Sequence, residues 1–201
     1  SSCLLYGQVQ KIPNLSSRFL KVNEKDVYSK AQQGDKKAQF LVGTFFYQAR
    51  FDYPRDTESA VKWFSLSAEQ GYDQAQLNLG LCYFNGTGIK KDKEKAVYWY
   101  EKAAESGNPD AQCCLGQCYF FGDGVSQNKT LAAYWYRKAA ENGNTDAQCN
   151  LGQCYFFGDG VPQSYESAVK WYLEGAKSND PQSQNNLGLC YEKGFGVTPN
   201  L

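Results

Sequence analysis

The chain has 201 residues, with 21 lysines and arginines against 21 aspartates and glutamates, an aromatic fraction of 15%, and neither histidine nor methionine. The zero net charge, without any basic run, argues against nucleic-acid binding, and no apolar stretch reaches the ~18–20 residues that cross a bilayer. Without histidine, Ser–His–Asp and Cys–His nucleophile activation and histidine-bearing zinc sites are excluded.

Residues 1–33 form an N-terminal segment that does not match the pattern of the rest of the chain. It does not begin with a methionine, and it has no cationic stretch or long apolar stretch. We therefore expect a processed form or a fragment, and a signal peptide that has been removed is the alternative. A lone capping helix is predicted over Asn23–Gln33, because Ala31 and Gly34 align with Ala68 and Gly71 further along.

From residue 34 onward the chain repeats itself with a period of about 36 residues. The predicted repeats are 34–70, 71–106, 107–142, 143–178 and a truncated 179–201. Four rows of residues are spaced 36 apart: Trp63, Trp99, Trp135 and Trp171; Gly80, Gly116, Gly152 and Gly188; Cys82, Cys118, Cys154 and Cys190; Tyr83, Tyr119, Tyr155 and Tyr191. Short helical units cannot bury an apolar face alone, so the repeats are predicted to stack.

The first half of each repeat is predicted to be a helix. Ala75, Leu79 and Tyr83 stand at i, i+4 and i+8, on one helical face, and a Gly-x-Gly turn follows in four repeats. The first repeat has Ala49–Pro54 in place of that turn, so a different loop is expected there. The glycine row in the middle of these helices, which costs helix stability, predicts a close approach of another helix.

The second half of each repeat is predicted to be a helix that opens at an N-cap residue. The caps recur in one position: Asp56, Asp92, Asn128 and Ser164. Ala96, Trp99, Tyr100 and Ala103 form the predicted buried face, and the tryptophan row is assigned to the core. The following first helices open at a capping residue type except at Tyr72, and Pro109 and Pro181 take the first helical position in two of them.

The repeated pattern resembles the Sel1-like repeat, most clearly over Ala104–Val125 continuing into Ala132–Ala140. The resemblance covers roughly residues 31–201. It implies an all-α fold, a right-handed α-solenoid of stacked antiparallel helix pairs related to tetratricopeptide arrays. It also implies a scaffold or adaptor for protein complexes rather than an enzyme, with the first helices lining the concave surface.

Positions on that concave face follow by offset from the Leu-Gly-Tyr pattern. An aromatic row with amides beside it suits an extended peptide, because rings supply contact area and amides can bond a backbone. Packing of these rings between repeats as core is the alternative. The predicted protein-binding residues are Tyr47, Leu77, Leu81, Phe84, Gln117, Phe120, Phe121, Gln153, Phe156 and Phe157.

The expected partner is a protein or peptide, with no nucleic acid, no membrane insertion, no cofactor, no metal and no catalytic residue. Because the sequence stops soon after Val197 without a second helix, we expect a fragment of a longer array, whose uncapped end offers a route to oligomerisation. Ser59 and Ser167 each begin a Ser-x-x-Lys pattern, which penicillin-interacting enzymes use, but the Ser-Asp-Asn and Lys-Thr-Gly partners of that site are missing.

The eight cysteines are interpreted as buried, reduced thiols of a cytoplasmic protein. The row that recurs every 36 residues lies on successive helices roughly 8–10 Å apart, whereas a disulfide needs Cα atoms within about 7 Å. Oxidised cysteine-rich relatives join the two helices of a repeat, and here no second helix carries a cysteine. The alternative is an exported, disulfide-bearing Sel1-like protein that acts as an effector or an envelope-associated binding protein.

Overall fold

The computed structural model describes residues 23–49 and 53–197, and within these ranges every regular element is an α-helix. The described residues divide into two compact units, which meet in sequence between Asn108 and Pro109. The N-terminal unit contains α1 (Glu24–Gln32), α2 (Lys36–Gln48), α3 (Thr57–Glu69), α4 (Asp73–Asn85) and α5 (Lys93–Glu105). The C-terminal unit contains α6 (Pro109–Phe121), α7 (Lys129–Glu141), α8 (Thr145–Phe157), α9 (Tyr165–Lys177) and α10 (Pro181–Lys193).

Each of the four complete repeats is a pair of helices of 13 residues, in which the second helix packs on the first. The first helices are α2, α4, α6, α8 and α10, and the second helices are α3, α5, α7 and α9. Helix α1 occupies the segment in which a capping helix is expected, and its Val27 and Ala31 pack with Val42 and Phe45 of α2. The all-α solenoid of paired helices that the sequence predicts is therefore confirmed.

Capping side chains fix where the second helices begin. Asp92 accepts a hydrogen bond from the backbone N–H of Lys95, and Asn128 accepts one from that of Leu131, as predicted for these positions. Tyr72, the predicted poor cap, makes no side-chain bond to the start of α4. Its ring instead packs edge-on against Phe40 at a centroid distance of 5.2 Å, so packing explains the tyrosine.

The predicted close approach is confirmed at four of the mid-helix glycines, where an aromatic ring lies against the glycine, but not at Gly188, which has no neighbouring atom within 4 Å of an added Cβ in the described structure. A Cβ atom added to Gly80 would lie 2.6 Å from the ring of Tyr100, and one added to Gly116 would lie 2.7 Å from the ring of Tyr136. Gly43 with Phe64 and Gly152 with Tyr172 repeat the arrangement. These four rings are at most 2% exposed.

The tryptophan row was predicted as core, and the structure corrects this to half-buried. Trp99 packs at the edge of the cluster that contains Phe64 and Leu79, whereas its neighbour Tyr100 is buried. Successive helical residues are rotated by about 100°, so only one of two adjacent aromatic rings can point straight at the partner helix.

Consecutive repeats are joined inside each unit by a buried glutamine. The Gln76 side chain donates a hydrogen bond from Nε2 to the carbonyl of Ala68 (3.2 Å), near the end of the preceding second helix. Gln148 makes the same bond to Ala140 (3.3 Å) in the C-terminal unit. These bonds satisfy carbonyls that a helix end leaves without an intrahelical partner.

The loop of the first repeat differs from the others, as expected. Helix α2 ends at Gln48, and Ala49 takes the left-handed conformation (φ 51°) that glycine takes at Gly86, Gly158 and Gly194. The rest of the predicted Ala49–Pro54 departure lies partly outside the described residues. Among the helices described, none combines the length and apolarity that a membrane crossing requires.

Candidate binding face

The most open aromatic side chain of the predicted face is Phe157. It ends α8 and is 66% exposed, and Phe121, at the equivalent end of α6, is partly exposed. Each ring stands edge-on against the preceding phenylalanine, with centroid distances of 5.0 Å to Phe156 and 5.2 Å to Phe120. The C-terminal unit thus presents two matched phenylalanine pairs, one in each of its complete repeats.

The second aromatic row, Tyr47, Phe84, Phe120 and Phe156, is half-buried. The rings of Phe84 and Phe120 lie 6.4 Å and 6.5 Å from the sealed rings of Tyr100 and Tyr136. Phe156 is held further, by Tyr165 at 5.0 Å and Phe195 at 5.5 Å. Part of each ring packs against the core and part stays accessible to solvent. The alternative prediction, in which these rings are core, is therefore confirmed in part.

Tyr47 begins this row in the N-terminal unit, where it packs 6.4 Å from Phe64. Burial is the main cause that raises the pKa of its hydroxyl above the ordinary value. The phenol is therefore neutral at physiological pH and offers an uncharged contact.

Lysines lie over the outer edges of two rings in the row. The ammonium of Lys93 is 5.3 Å from the ring centroid of Phe84, and that of Lys129 is 5.4 Å from the ring centroid of Phe120. Lys129 also pairs with Asp159 at 2.7 Å, which joins the start of α7 to the turn of the next repeat. In the C-terminal unit, the two contacts keep the Lys129 side chain beside the Phe120 ring.

Leu77 and Leu81 were predicted to line the open face, and the structure corrects both. They are 4% and 8% exposed. Leu77 shares its repeat position with Cys113 and Cys149, which are also buried; Cys149 lies 3.8 Å from the side-chain amide of Asn186 on the next first helix. In α8, this position therefore packs against the next first helix, α10.

The amides predicted to bond a partner backbone keep contact with solvent. Gln117 and Gln153 are half-buried. Leu81, at the same repeat position, is buried, because burial of an apolar side chain is energetically favourable. In both complete repeats of the C-terminal unit the predicted face positions hold one glutamine and two phenylalanines. The predicted positions are therefore apolar and amide-bearing, and the nearby charge comes from Lys129 over the Phe120 ring.

The thiols in the described part of the chain are buried, and none of them forms a disulfide there. Burial raises the pKa of both Cys82 and Cys154 to about 12, and it also raises the pKa of Cys113 and Cys190. Since the thiolate is the nucleophilic form, these groups are poor nucleophiles at neutral pH. No cluster of three or more potential metal-ligating side chains occurs among the described residues.

The two Ser-x-x-Lys serines lie in the first turns of second helices. The Ser59 hydroxyl donates to the carboxylate of Asp56 (2.6 Å), which itself caps α3. Ser167 pairs with the cap Ser164 at 3.0 Å between the hydroxyl oxygens. Both hydroxyls are part of helix caps, which accounts for serine at these positions.

Comparison with known proteins agrees with this geometry. The chain is 41% identical to a protective antigen of uropathogenic Escherichia coli that displays an SLR fold, with a TM-score of 0.86; the match covers 89% of this chain and 38% of that one. A Sel1 repeat protein from Oxalobacter formigenes is 34% identical over 88% of this chain and 78% of its own, with a TM-score of 0.80. Cysteine-rich protein B of Helicobacter pylori is 29% identical, with a TM-score of 0.50, over 63% of this chain and 96% of its own.

No curated protein matches the chain. The Sel1 repeat, however, matches it over residues 36–72, 73–108, 109–144, 145–180 and 181–201, which is the whole of the sequence after the capping helix. The chain belongs to the Sel1 repeat family.

Proposed function

We propose that this chain is a non-enzymatic scaffold that binds a protein or peptide partner on the face formed by the first helices α6 and α8 of its C-terminal unit. Exposure of Phe157 at the end of α8 is the observation that carries the proposal. A phenylalanine that is two-thirds exposed gains free energy when a partner covers it, and rings of this kind dominate binding energy at interfaces.

The partner's contact segment is an extended, uncharged stretch. Gln117 and Gln153 supply amides that can both donate to and accept from a peptide backbone. Neighbouring first helices lie about 8–10 Å apart, and an extended chain rises about 3.3 Å per residue. Apolar side chains about three residues apart in the partner would therefore meet Phe121 and Phe157 in turn.

The absence of suitable chemistry supports the scaffold role over catalysis. The chain has no histidine, burial raises the pKa of the Cys82 and Cys154 thiols to about 12, and the Ser-x-x-Lys hydroxyls belong to helix caps. The half-buried rings of Phe120 and Phe156, which pack against Tyr136 and Phe195, provide further apolar contact surface beside Phe121 and Phe157.

Selection of random 12-residue peptides displayed on phage against the whole chain tests the proposal. We expect enriched peptides with two apolar residues about three positions apart, and about tenfold weaker binding to the Phe157→Ala or Phe121→Ala variant. Tyr134→Ala is the matched control, since Tyr134 is a 50% exposed aromatic residue on the second helix α7. Peptides that bind all three variants equally would place the binding surface elsewhere.

A further inference from the structure

Each complete repeat of the C-terminal unit presents the same three side chains on one face of its first helix. Their positions are i, i+3 and i+4, which share a helical face. The residues are Gln117, Phe120 and Phe121 in α6 and Gln153, Phe156 and Phe157 in α8. A side-chain hydrogen bond between Cys113 and Asn150 joins the two helices, so their axes lie about 8–10 Å apart. The open rings of Phe121 and Phe157 therefore repeat at about this distance.

This distance distinguishes between the extended conformations available to a partner. In a β-strand, side chains on one face are two or four residues apart, which corresponds to about 6.6 or 13 Å. A polyproline II helix has three residues per turn and rises about 3.1 Å per residue, so every third side chain returns to the same face after about 9.3 Å. Only the polyproline II helix presents a side chain to each ring at the spacing of the repeats.

Hydrogen bonding separates the polyproline II helix from an α-helix. An α-helix also matches the spacing, because residues i and i+7 share a face and are about 10.5 Å apart. Its backbone carbonyls, however, are bonded within the helix, whereas those of a polyproline II helix are free. Gln117 and Gln153 lie beside the rings and keep contact with solvent, so each repeat supplies one amide donor to a free carbonyl.

The charge beside the rings also suits free carbonyl oxygens, which carry partial negative charge. The Lys129 ammonium lies 5.4 Å from the ring centroid of Phe120 and bonds Asp159 at 2.7 Å, which leaves two further N–H donors on the ammonium. Its side chain is 44% exposed. The site therefore presents hydrogen-bond donors, and proline is the residue that offers a carbonyl acceptor without an N–H donor of its own.

Resting on the proposed function, we propose that the partner segment is a polyproline II helix with proline or another apolar residue at every third position. It crosses α6 and α8, places two of these residues against Phe121 and Phe157, and accepts hydrogen bonds from Gln117 and Gln153. Aromatic-lined grooves are the surfaces that recognise such helices, and the preformed conformation reduces the entropy lost on binding.

Fluorescein-labelled octaproline is the probe, because it holds the polyproline II conformation and its residues have no backbone N–H. It is titrated with the whole chain up to about 1 mM and followed by fluorescence anisotropy. A labelled peptide of four Thr-Val pairs has the same length and favours the β conformation, so it is the matched probe. We expect octaproline to bind about tenfold more tightly than this peptide.

Variants of the chain test the contacts one by one. Phe157→Ala and Phe121→Ala are each expected to weaken octaproline binding about tenfold, whereas Tyr134→Ala on α7 leaves it unchanged. Gln153→Glu is expected to weaken it about fivefold, because a carboxylate accepts hydrogen bonds but donates none. Thermal unfolding followed by circular dichroism checks that each variant keeps the fold.

No binding of octaproline at about 1 mM, or binding that Phe157→Ala or Gln153→Glu leaves unchanged, overturns the proposal. Equal or tighter binding of the Thr-Val peptide also overturns it. If phage-selected peptides still depend on Phe157 in those cases, the proposed function stands and only the polyproline II inference fails.

Discussion

At the level of single residues, the glycine in the middle of each first helix is a packing residue. Gly80 lies in a helical conformation, where glycine costs about 0.8–1 kcal/mol relative to alanine. The Tyr100 ring and the Ala96 carbonyl occupy the volume that a methyl group would need. Helix propensity and packing therefore oppose each other at this position, and the short distances indicate that packing dominates.

Replacing Gly80 with alanine is expected to lower the free energy of unfolding by about 1–2 kcal/mol. Overpacking costs about 1–3 kcal/mol, and the gain in helix propensity offsets part of it. Urea unfolding followed by circular dichroism measures the change. Tyr100→Leu tests the cause, because the smaller side chain leaves room for the methyl group; the double variant should lose less stability than the sum of the two single variants. A Gly80→Ala variant as stable as the natural chain would contradict the packing argument.

At the level of elements, sequence recurrence predicted the helices, their caps and their turns. The N-cap position shows this clearly: Asp92 and Asn128 cap the helices that were predicted for them. Recurrence could not separate Trp99 from Tyr100, because adjacent residues recur with the same period whichever of them faces the core. Which of the two side chains is buried depends on the tilt of the partner helix, and that tilt cannot be read from the sequence of one repeat.

The candidate site was predicted only in part for the same reason. Phe121 and Phe157 were placed on an open face, and their side chains are accessible, whereas Leu77 and Leu81 are covered. At the equivalent position in the C-terminal unit, Cys149 packs against Asn186 of the next first helix, and such a contact depends on how closely the repeats stack. The joining role of Gln76 was missed, although glutamine recurs in every repeat, because its partner is a backbone carbonyl of the preceding helix.

That glutamine gives a test of how successive elements are joined. Gln148→Leu removes one of the two donors to the Ala140 carbonyl, the other being the Gly143 N–H at 3.0 Å, and is expected to cost about 1 kcal/mol, the net contribution of a typical buried hydrogen bond. Gln184→Leu is the matched control: its bond to Ala176 is 3.5 Å long and exposed, so a change below about 0.5 kcal/mol is expected. Thermal and urea unfolding measure both. Equal losses in the two variants would mean that the buried bond does not hold the helices together.

At the level of the whole molecule, buried thiols make stability depend on pH. Cys82 lies in the N-terminal unit and Cys154 in the C-terminal unit, and burial raises the pKa of each from 9.0 to about 12. Between these values the unfolded chain has lost the thiol proton while the folded chain retains it. The unfolded state binds fewer protons there, so the free energy of unfolding decreases as the pH rises.

The expected loss begins above about pH 9 and amounts to about 1.4 kcal/mol per thiol per pH unit, or about 3 kcal/mol for the two thiols together by pH 10. Between pH 7 and pH 8 their contribution is complete, so the two thiols cause almost no change in stability there. Urea unfolding at pH 7, 8, 9 and 10 in the presence of a reductant measures this. The variant with Cys82→Ala and Cys154→Ala is the control: it is less stable at pH 7 because of the lost packing, but its decline with pH should be shallower. If the natural chain and the variant decline in parallel, the alkaline loss arises from groups other than these two thiols.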